Sequence, residues 1–319
     1  MSAAVLAWGA FLGCAAAIAV GGTALCRLAD EIAETTGLTR TWIGLVLLAV
    51  ATSLPELVTG LSSVRLAQAP DIAMGDALGS VVFNLALLGG VYLSGGGMPR
   101  AATGRDTRSA ALSAAYGIGL LAIAGVALGM NGTPSVGAVS LHSLLLLLLY
   151  AVAMRHLYAR GARPAAASAP RGQAMSPFVR FGAAAIAVGA AASALPFVAR
   201  HLAVLMGWTD SAVGTLLVAA ATSLPELAVT GAAVRIGRPE LAVGNLLGSN
   251  LFDMAIVAVD DLFFAPGPLF AFVSADHARS IASGLVMSGL ALLGPRRAVG
   301  AALCAAYAAN AWLAWRGAG

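Results

Sequence analysis

Lysine is absent from this chain: all 18 of its basic residues are arginine. Charge of either sign is scarce, at 10% of 319 residues. A soluble domain carries about 25%. So few charges cannot cover a water-facing surface of this size, and lipid must do it. Cysteine is scarce too. Cys14, Cys26 and Cys304 fall in or beside apolar runs without metal-ligand spacing, so neither a disulfide framework nor a thiolate metal site is expected. No basic residue precedes Arg27, so the positively charged start of a secretory signal is missing and the first apolar run is expected to be a span. No His-Glu-x-x-His or Gly-x-Ser-x-Gly motif occurs, which argues against an intramembrane enzyme and leaves no catalytic residue or cofactor to expect.

What is present is apolar. Hydrophobic residues make up 60% of the chain, and the mean hydropathy is +0.89. The unit to count is therefore the spanning helix of roughly 20 residues. Apolar runs between Arg, Pro and Gly clusters give ten expected spans: 4–26, 41–65, 71–94, 109–129, 136–157, 178–200, 211–235, 239–263, 277–294 and 297–315. The expected fold class is all-α integral membrane protein. Residues 158–177, rich in Arg, Pro, Ala and Ser, read as a linker between 1–157 and 178–319, with five spans each. The stretch 263–272, carrying Pro266 and Pro268, reads as an interfacial turn.

The halves repeat. Ala51-Thr52-Ser53-Leu54-Pro55-Glu56-Leu57 recurs letter for letter at 221–227. The peptide Ala15 to Gly21 recurs as Ala183 to Gly189, and Gly75-Asp76-Ala77-Leu78-Gly79-Ser80 is echoed by Gly244-Asn245-Leu246-Leu247-Gly248-Ser249. An odd number of spans per half makes the second copy enter from the opposite side, so the repeats are expected to be inverted, as in many secondary transporters. Fourteen arginines fall on the side of the linker and four on the other. The positive-inside rule then places the linker in the cytoplasm and both termini outside. The net charge of +4 belongs to that asymmetry and not to nucleic-acid binding.

Of the acidic residues, Glu56, Glu226 and Asp253 lie deep inside expected spans, and the others in loops or near span ends. A carboxylate at the bilayer centre costs about 2.5–3.5 kcal/mol on insertion scales. Three of them without buried arginines call for cations. Pro55 removes the amide that would bond the Ala51 carbonyl, so that carbonyl and the Thr52 and Ser53 hydroxyls become oxygen ligands beside Glu56. Ala221, Thr222, Ser223, Pro225 and Glu226 supply the same set. Such a set suits a hard cation such as calcium, which takes six to eight oxygens, and not zinc or copper. Ser80 and Asn84 share one helix face, as do Ser249 and Asp253. Gly75, Gly79, Gly244 and Gly248 form small-xxx-small pairs for close helix approach. His142, His156, His201 and His277 are scattered and receive no ligand role.

At these residues the chain resembles the sodium/calcium exchanger branch of the calcium/cation antiporter superfamily. That family carries Gly/Ala-Thr-Ser-x-Pro-Glu followed by Gly-Asn-x-x-Gly-Ser-Asn, with Asn or Asp following, in each of two repeats. The resemblance implies ten spans as two inverted five-helix repeats. It also implies ion ligation by Glu56, Asn84, Glu226 and Asp253, assisted by Thr52, Ser53, Ser80, Thr222, Ser223 and Ser249. The first and sixth spans would slide across this core to alternate access. Asn84 with Asp253 is the pairing of members that exchange sodium for calcium, so calcium and sodium are the expected transported ions. The expected location is the cell (inner) membrane, with the lipid bilayer as partner and no obligatory protein partner. Two departures stand out: Asp76 replaces the usual Asn, and Val81 replaces the Asn after Gly-Ser. Asp76 is placed nearer the membrane surface, as an extra proton site or access-path ligand. A calcium/proton antiporter and, more distantly, a passive cation channel stay open as alternatives.

Overall fold

The apolar runs fold as helices. The computed structural model describes residues 3–36, 48–94, 104–130, 134–161, 177–235 and 239–317. In chain order these form α1 (Ala3–Thr36), α2 (Ala49–Thr52), α3 (Leu54–Ser62), α4 (Pro70–Leu93), α5 (Gly104–Gly129), α6 (Leu141–Gly161) and α7 (Pro177–Met206). There follow α8 (Asp210–Thr222), α9 (Leu224–Arg235), α10 (Pro239–Phe263), α11 (Ala278–Ala291) and α12 (Arg297–Arg316). A small hairpin pairs β1 (Ser135–Val136) with β2 (Val139–Ser140) just before α6.

Seven of the described helices (α1, α4, α5, α6, α7, α10 and α12) are long and apolar enough to cross a membrane. The bent pair α8 and α9, at 45°, makes up to eight. Three of the ten expected spans look different in the structure, one being 211–235, which is the bent pair α8 and α9 interrupted at Ser223. The one expected at 41–65 is interrupted at Ser53, and its first residues fall within 37–47, outside the described residues. The one expected at 277–294 is α11, of 14 residues, shorter than the roughly 20 needed to cross upright. The expected linker lies outside the described residues from 162 to 176. The stretch at 263–272 is a turn, as expected, with a short 3-10 segment at Leu269–Ala271.

Burial separates the helices into centre and periphery. The apolar windows of α4 and α10 are 83% buried, against 22–39% in the other five. The two central helices share a core of large side chains, among them Leu78, Leu85, Leu121, Leu246, Met254 and Met287. A second core joins α1 to α7 through Phe11, Ile18, Leu195 and Leu202, and packs that pair onto Ile72 and Val218. Outside it, Leu12, Val20, Ile186 and Val204 point away from the protein. Exposed aliphatics in such number fit a membrane-type protein whose outer solvent is hydrocarbon.

Glycine sets the closest approach. A Cβ on Gly79 would lie 2.6 Å from the Thr215 carbonyl oxygen, and one on Gly75 would lie 2.9 Å from the Thr215 amide nitrogen. These two glycines seat α4 on the π-helical turn Gly214–Val218 of α8, as the small-xxx-small spacing predicts. Gly244 differs, since a Cβ there meets nothing within 4 Å among the described residues. The register-equivalent partner segment falls within 37–47. In α1, a Cβ on Gly21 would come within 2.3 Å of Val188 Cγ2. The repeated Ala-Ala-Ala-Ile-Ala-Val-Gly peptides therefore meet each other.

Candidate ion site

Both copies of the Thr-Ser-Leu-Pro-Glu peptide break their helix at the serine. Ser53 sits at φ −90°, ψ 13° and Ser223 at φ −83°, ψ 12°, and each amide still bonds back to Ala49 or Ala219 at 3.0 or 3.1 Å. A new helix starts at the next residue, with proline in its first turn, where a missing N–H costs nothing. Glu56 and Glu226 therefore fall in the first turn of α3 and of α9, at the positive end of a helix dipole. Both are buried, as are Thr52, Ser53, Thr222 and Ser223.

The two halves cross over at the carboxylates. The Ser53 hydroxyl donates to Glu226 Oε1 at 3.2 Å, and the Ser223 hydroxyl lies 3.0 Å from Glu56 Oε1. Ser249 donates to Glu226 Oε1 at 3.2 Å, while Ser80 reaches Glu56 Oε1 at 3.5 Å and stands 2.9 Å from Ser223. Thr52 lies 3.3 Å from Ser249. Each glutamate thus has one oxygen held by hydroxyls and the other, Oε2, without a partner among the described residues.

The other two expected ligands, Asn84 and Asp253, add more bare atoms. Asp253 and Asn84 are buried, and among the described residues neither Asp253 oxygen and neither polar atom of the Asn84 amide has a hydrogen-bond partner. Glu56 Oε2, Glu226 Oε2, the two Asp253 oxygens and Asn84 Oδ1 make five buried acceptors without donors. Leaving buried polar atoms unpaired costs about 1–3 kcal/mol each, and more when charged. Glu56 lies within electrostatic reach of Glu226, Asp253 and Asp76, and among the described residues none of the four has an arginine within ion-pair distance. Such a concentration of negative charge is chemically suited to a hard cation.

Asp76 departs from the surface position expected from sequence. It is buried, and its Oδ1 accepts the Thr222 hydroxyl at 2.8 Å. Its register equivalent, Asn245, meets Thr52 only at 3.5 Å. The difference is charge, because a carboxylate draws the hydroxyl closer than an amide oxygen does. Asp76, Asp260 and Asp261 are buried as well, the last two at the end of α10, where the sequence placed them. Asp261 accepts the Ser140 and Leu269 amides at 2.8 and 2.5 Å, tying β2 and the 3-10 turn to the end of α10. The signal that would have found Asp76 was its position four residues before Ser80, on the same helix face.

The histidines go elsewhere. His277 Nε2 lies 2.9 Å from Asp71, His156 Nδ1 lies 2.8 Å from the Tyr116 hydroxyl, and His142 Nδ1 lies 3.3 Å from Ser140. Cys14 and Cys304 are free thiols within helices.

Comparison with known proteins gives a consistent result. The family model described as sodium/calcium exchanger protein matches residues 6–159 and 176–316. Inner membrane protein YrbG of Escherichia coli is 31% identical over 251 residues, covering 76% of this chain and 74% of that protein. Sodium/calcium exchanger MaX1 of Methanosarcina acetivorans is 46% identical over 61 residues, 19% of this chain and 17% of MaX1. Among solved structures, the sodium-calcium exchanger NCX_Mj superposes with a TM-score of 0.66 at 24% identity, covering 96% of this chain and 98% of that one. At that identity the likeness is one of fold.

Proposed function

The chain belongs to the sodium/calcium exchanger family, and from that premise we propose that it is an antiporter exchanging sodium for calcium at a carboxylate site between its two halves. Glu56, Asn84, Glu226 and Asp253 are the ion ligands in this reading, with Thr52, Ser53, Ser80, Thr222, Ser223 and Ser249 orienting them. The observation that carries it is the crossed pair. Each glutamate is gripped by the other half's serine and keeps a bare oxygen beside the unbonded Asp253 and Asn84. One cation bridging both glutamates would therefore hold both helix breaks together, and releasing it would free them.

The architecture that goes with this reading is ten spans, as two inverted five-helix repeats at 1–157 and 178–319 around a cytoplasmic linker at 158–177, with both termini outside. The α1–α7 pair, joined by its own apolar core, slides across the fixed centre to expose the site to each side in turn. Coupling follows from charge. Three ionisable ligands accept several sodium ions or one calcium, and an unfilled cluster is too costly to cross.

Asp76 favours one second reading, calcium/proton antiport. It adds a fourth buried carboxylate to the cluster, where the other half has Asn245. Calcium uptake into everted vesicles separates the two. A sodium gradient is expected to drive uptake with the pH gradient collapsed. Uptake driven by the pH gradient alone would replace sodium with protons.

A further inference from the structure

Asp260 is a carboxylate for which the site just described has no use. It is buried near the end of α10, and neither of its oxygens has a hydrogen-bond partner among the described residues. Its carboxyl group lies flat on Gly60, where a Cβ would fall 2.4 Å from Oδ2 and 2.7 Å from Oδ1. Only glycine leaves room for it. Ser63, one turn past Gly60, is also buried with its hydroxyl unbonded.

The position of this contact follows from the helices that make it. Gly60 is four residues beyond Glu56, and Asp260 is seven beyond Asp253, or about 10 Å along the helix at 1.5 Å per residue. Both helices run to the same end of the molecule, since Arg65 Nη1 donates to the Phe263 carbonyl at 3.3 Å. Asp76, within electrostatic reach of Asp260, is displaced from Asn84 toward that end, because α4 starts at Pro70, directly after the turn that contains Arg65. The groups facing Asp260 are thus Asp76 from α4 and, on its own helix, Asp261, whose oxygens are taken by amides. Arg65, the charged residue past Gly60, reaches the Phe263 carbonyl, and no ion pair with Asp260 occurs among the described residues.

Duplication shows that this arrangement is one-sided. The register that equates Glu56 with Glu226 and Asn84 with Asp253 equates Gly60 with Thr230, Ser63 with Ala233, and Asp260 with Val91. Asp76 corresponds to Asn245. One approach to the carboxylate cluster is therefore marked by acids and the other by neutral residues.

We propose that Asp260, seated on Gly60, is a second cation site, a station for sodium between the carboxylate cluster and the Arg65–Phe263 end of the protein. Two carboxylate oxygens fall short of the six to eight oxygens that calcium takes. They suffice for a monovalent ion that keeps part of its water shell. An ion held there partly offsets the cost of the buried carboxylate. It also raises the local sodium concentration at one entrance to the central site. The proposal rests on the antiport reading. In the orientation given by the arginine count, this entrance is the extracellular one.

The test uses the full chain in right-side-out and everted vesicles, with wild type, Asp260→Asn and Gly60→Ala compared. The two variants remove the charge and displace the carboxyl, respectively, and monodisperse elution in detergent verifies folding. The half-saturating sodium concentration at the extracellular face is expected to rise roughly three- to tenfold in both, the change that losing one screened charge contact produces. The cytoplasmic-face value is the internal control and is expected to stay put. Unchanged extracellular values in folded variants would overturn the site, as would an equal rise at both faces. A change confined to pH dependence would overturn it too, making Asp260 a proton carrier. Wild-type protein without sodium-driven calcium flux would instead count against the antiport reading itself.

Discussion

At the scale of single residues, the glutamates are informative for the way each is shared. Glu56 and Glu226 each hold one oxygen toward the opposite half's serine and leave one bare. Glu56→Gln or Glu226→Gln keeps the shape and removes the charge. Sodium-driven calcium uptake is expected to fall to background in either variant while the protein stays monodisperse. Normal transport by Glu226→Gln would remove the central claim about the site. Glu34→Gln, in α1 far along the sequence from either motif, is expected to transport like wild type. Asp76 supports a finer prediction. Asp76→Asn restores the residue found at the equivalent Asn245, so calcium transport should persist while any proton dependence of the flux diminishes. A pH–rate profile identical to wild type would show that Asp76 is a structural acceptor for Thr222 and no more. The residues proposed as ligands stood out in the sequence because duplication printed their segments twice in apolar runs, and the structure buries them together. Asp76 and Asp260 did not stand out, since acids near the ends of runs look solvated until neighbouring helices are seen to cover them.

At the scale of helices, the serine-proline breaks and the glycine contacts do different work. The breaks place the glutamates, and the glycines set how closely α4 lies against the broken helix that carries Glu226. A Cβ on Gly79 would strike the Thr215 carbonyl oxygen at 2.6 Å and the Ala219 Cβ at 2.6 Å. Overpacking of this kind costs about 1–3 kcal/mol. Gly79→Ala is therefore expected to lower the apparent Tm in detergent and to reduce flux. Gly90→Ala, on the same helix with nothing within 4 Å, should gain slightly from helix propensity. Equal melting of the two variants would mean that the α4–α8 contact contributes little. Most helices were legible from apolar length alone. The exceptions have physical causes: a proline with neighbouring hydroxyls divides the runs at Ser53 and Ser223 without shortening them, and α11 covers only part of the apolar run that announced it. The meeting of Gly21 with Val188 was half legible. The repeated peptide was plain in the sequence, but no periodicity indicates which repeated segments touch.

For the molecule as a whole, orientation decides what the acid-marked entrance is for. The arginine count puts fourteen on the side of the linker and four on the other, a bias far larger than a shift of one boundary can reverse. Positive residues near span ends are retained on the cytoplasmic side. In the orientation proposed on that count, the linker faces the cytoplasm and the Arg65–Phe263 end faces outward. Sodium is abundant outside most cells, and an exchanger driven by its entry benefits from acids at that entrance. The opposite topology would place the same acids where calcium is collected, and they would favour the divalent ion instead. A single cysteine settles which holds. Ser168→Cys, placed in the linker of a variant whose Cys14, Cys26 and Cys304 are replaced by alanine, is expected to react with a membrane-impermeant maleimide in everted vesicles and to be protected in intact cells. A cysteine appended after Gly319 should show the reverse pattern. Labelling of Ser168→Cys from outside would invert the protein. Asp260 would then become a cytoplasmic station, and the sodium shift predicted for Asp260→Asn would have to appear at the inner face.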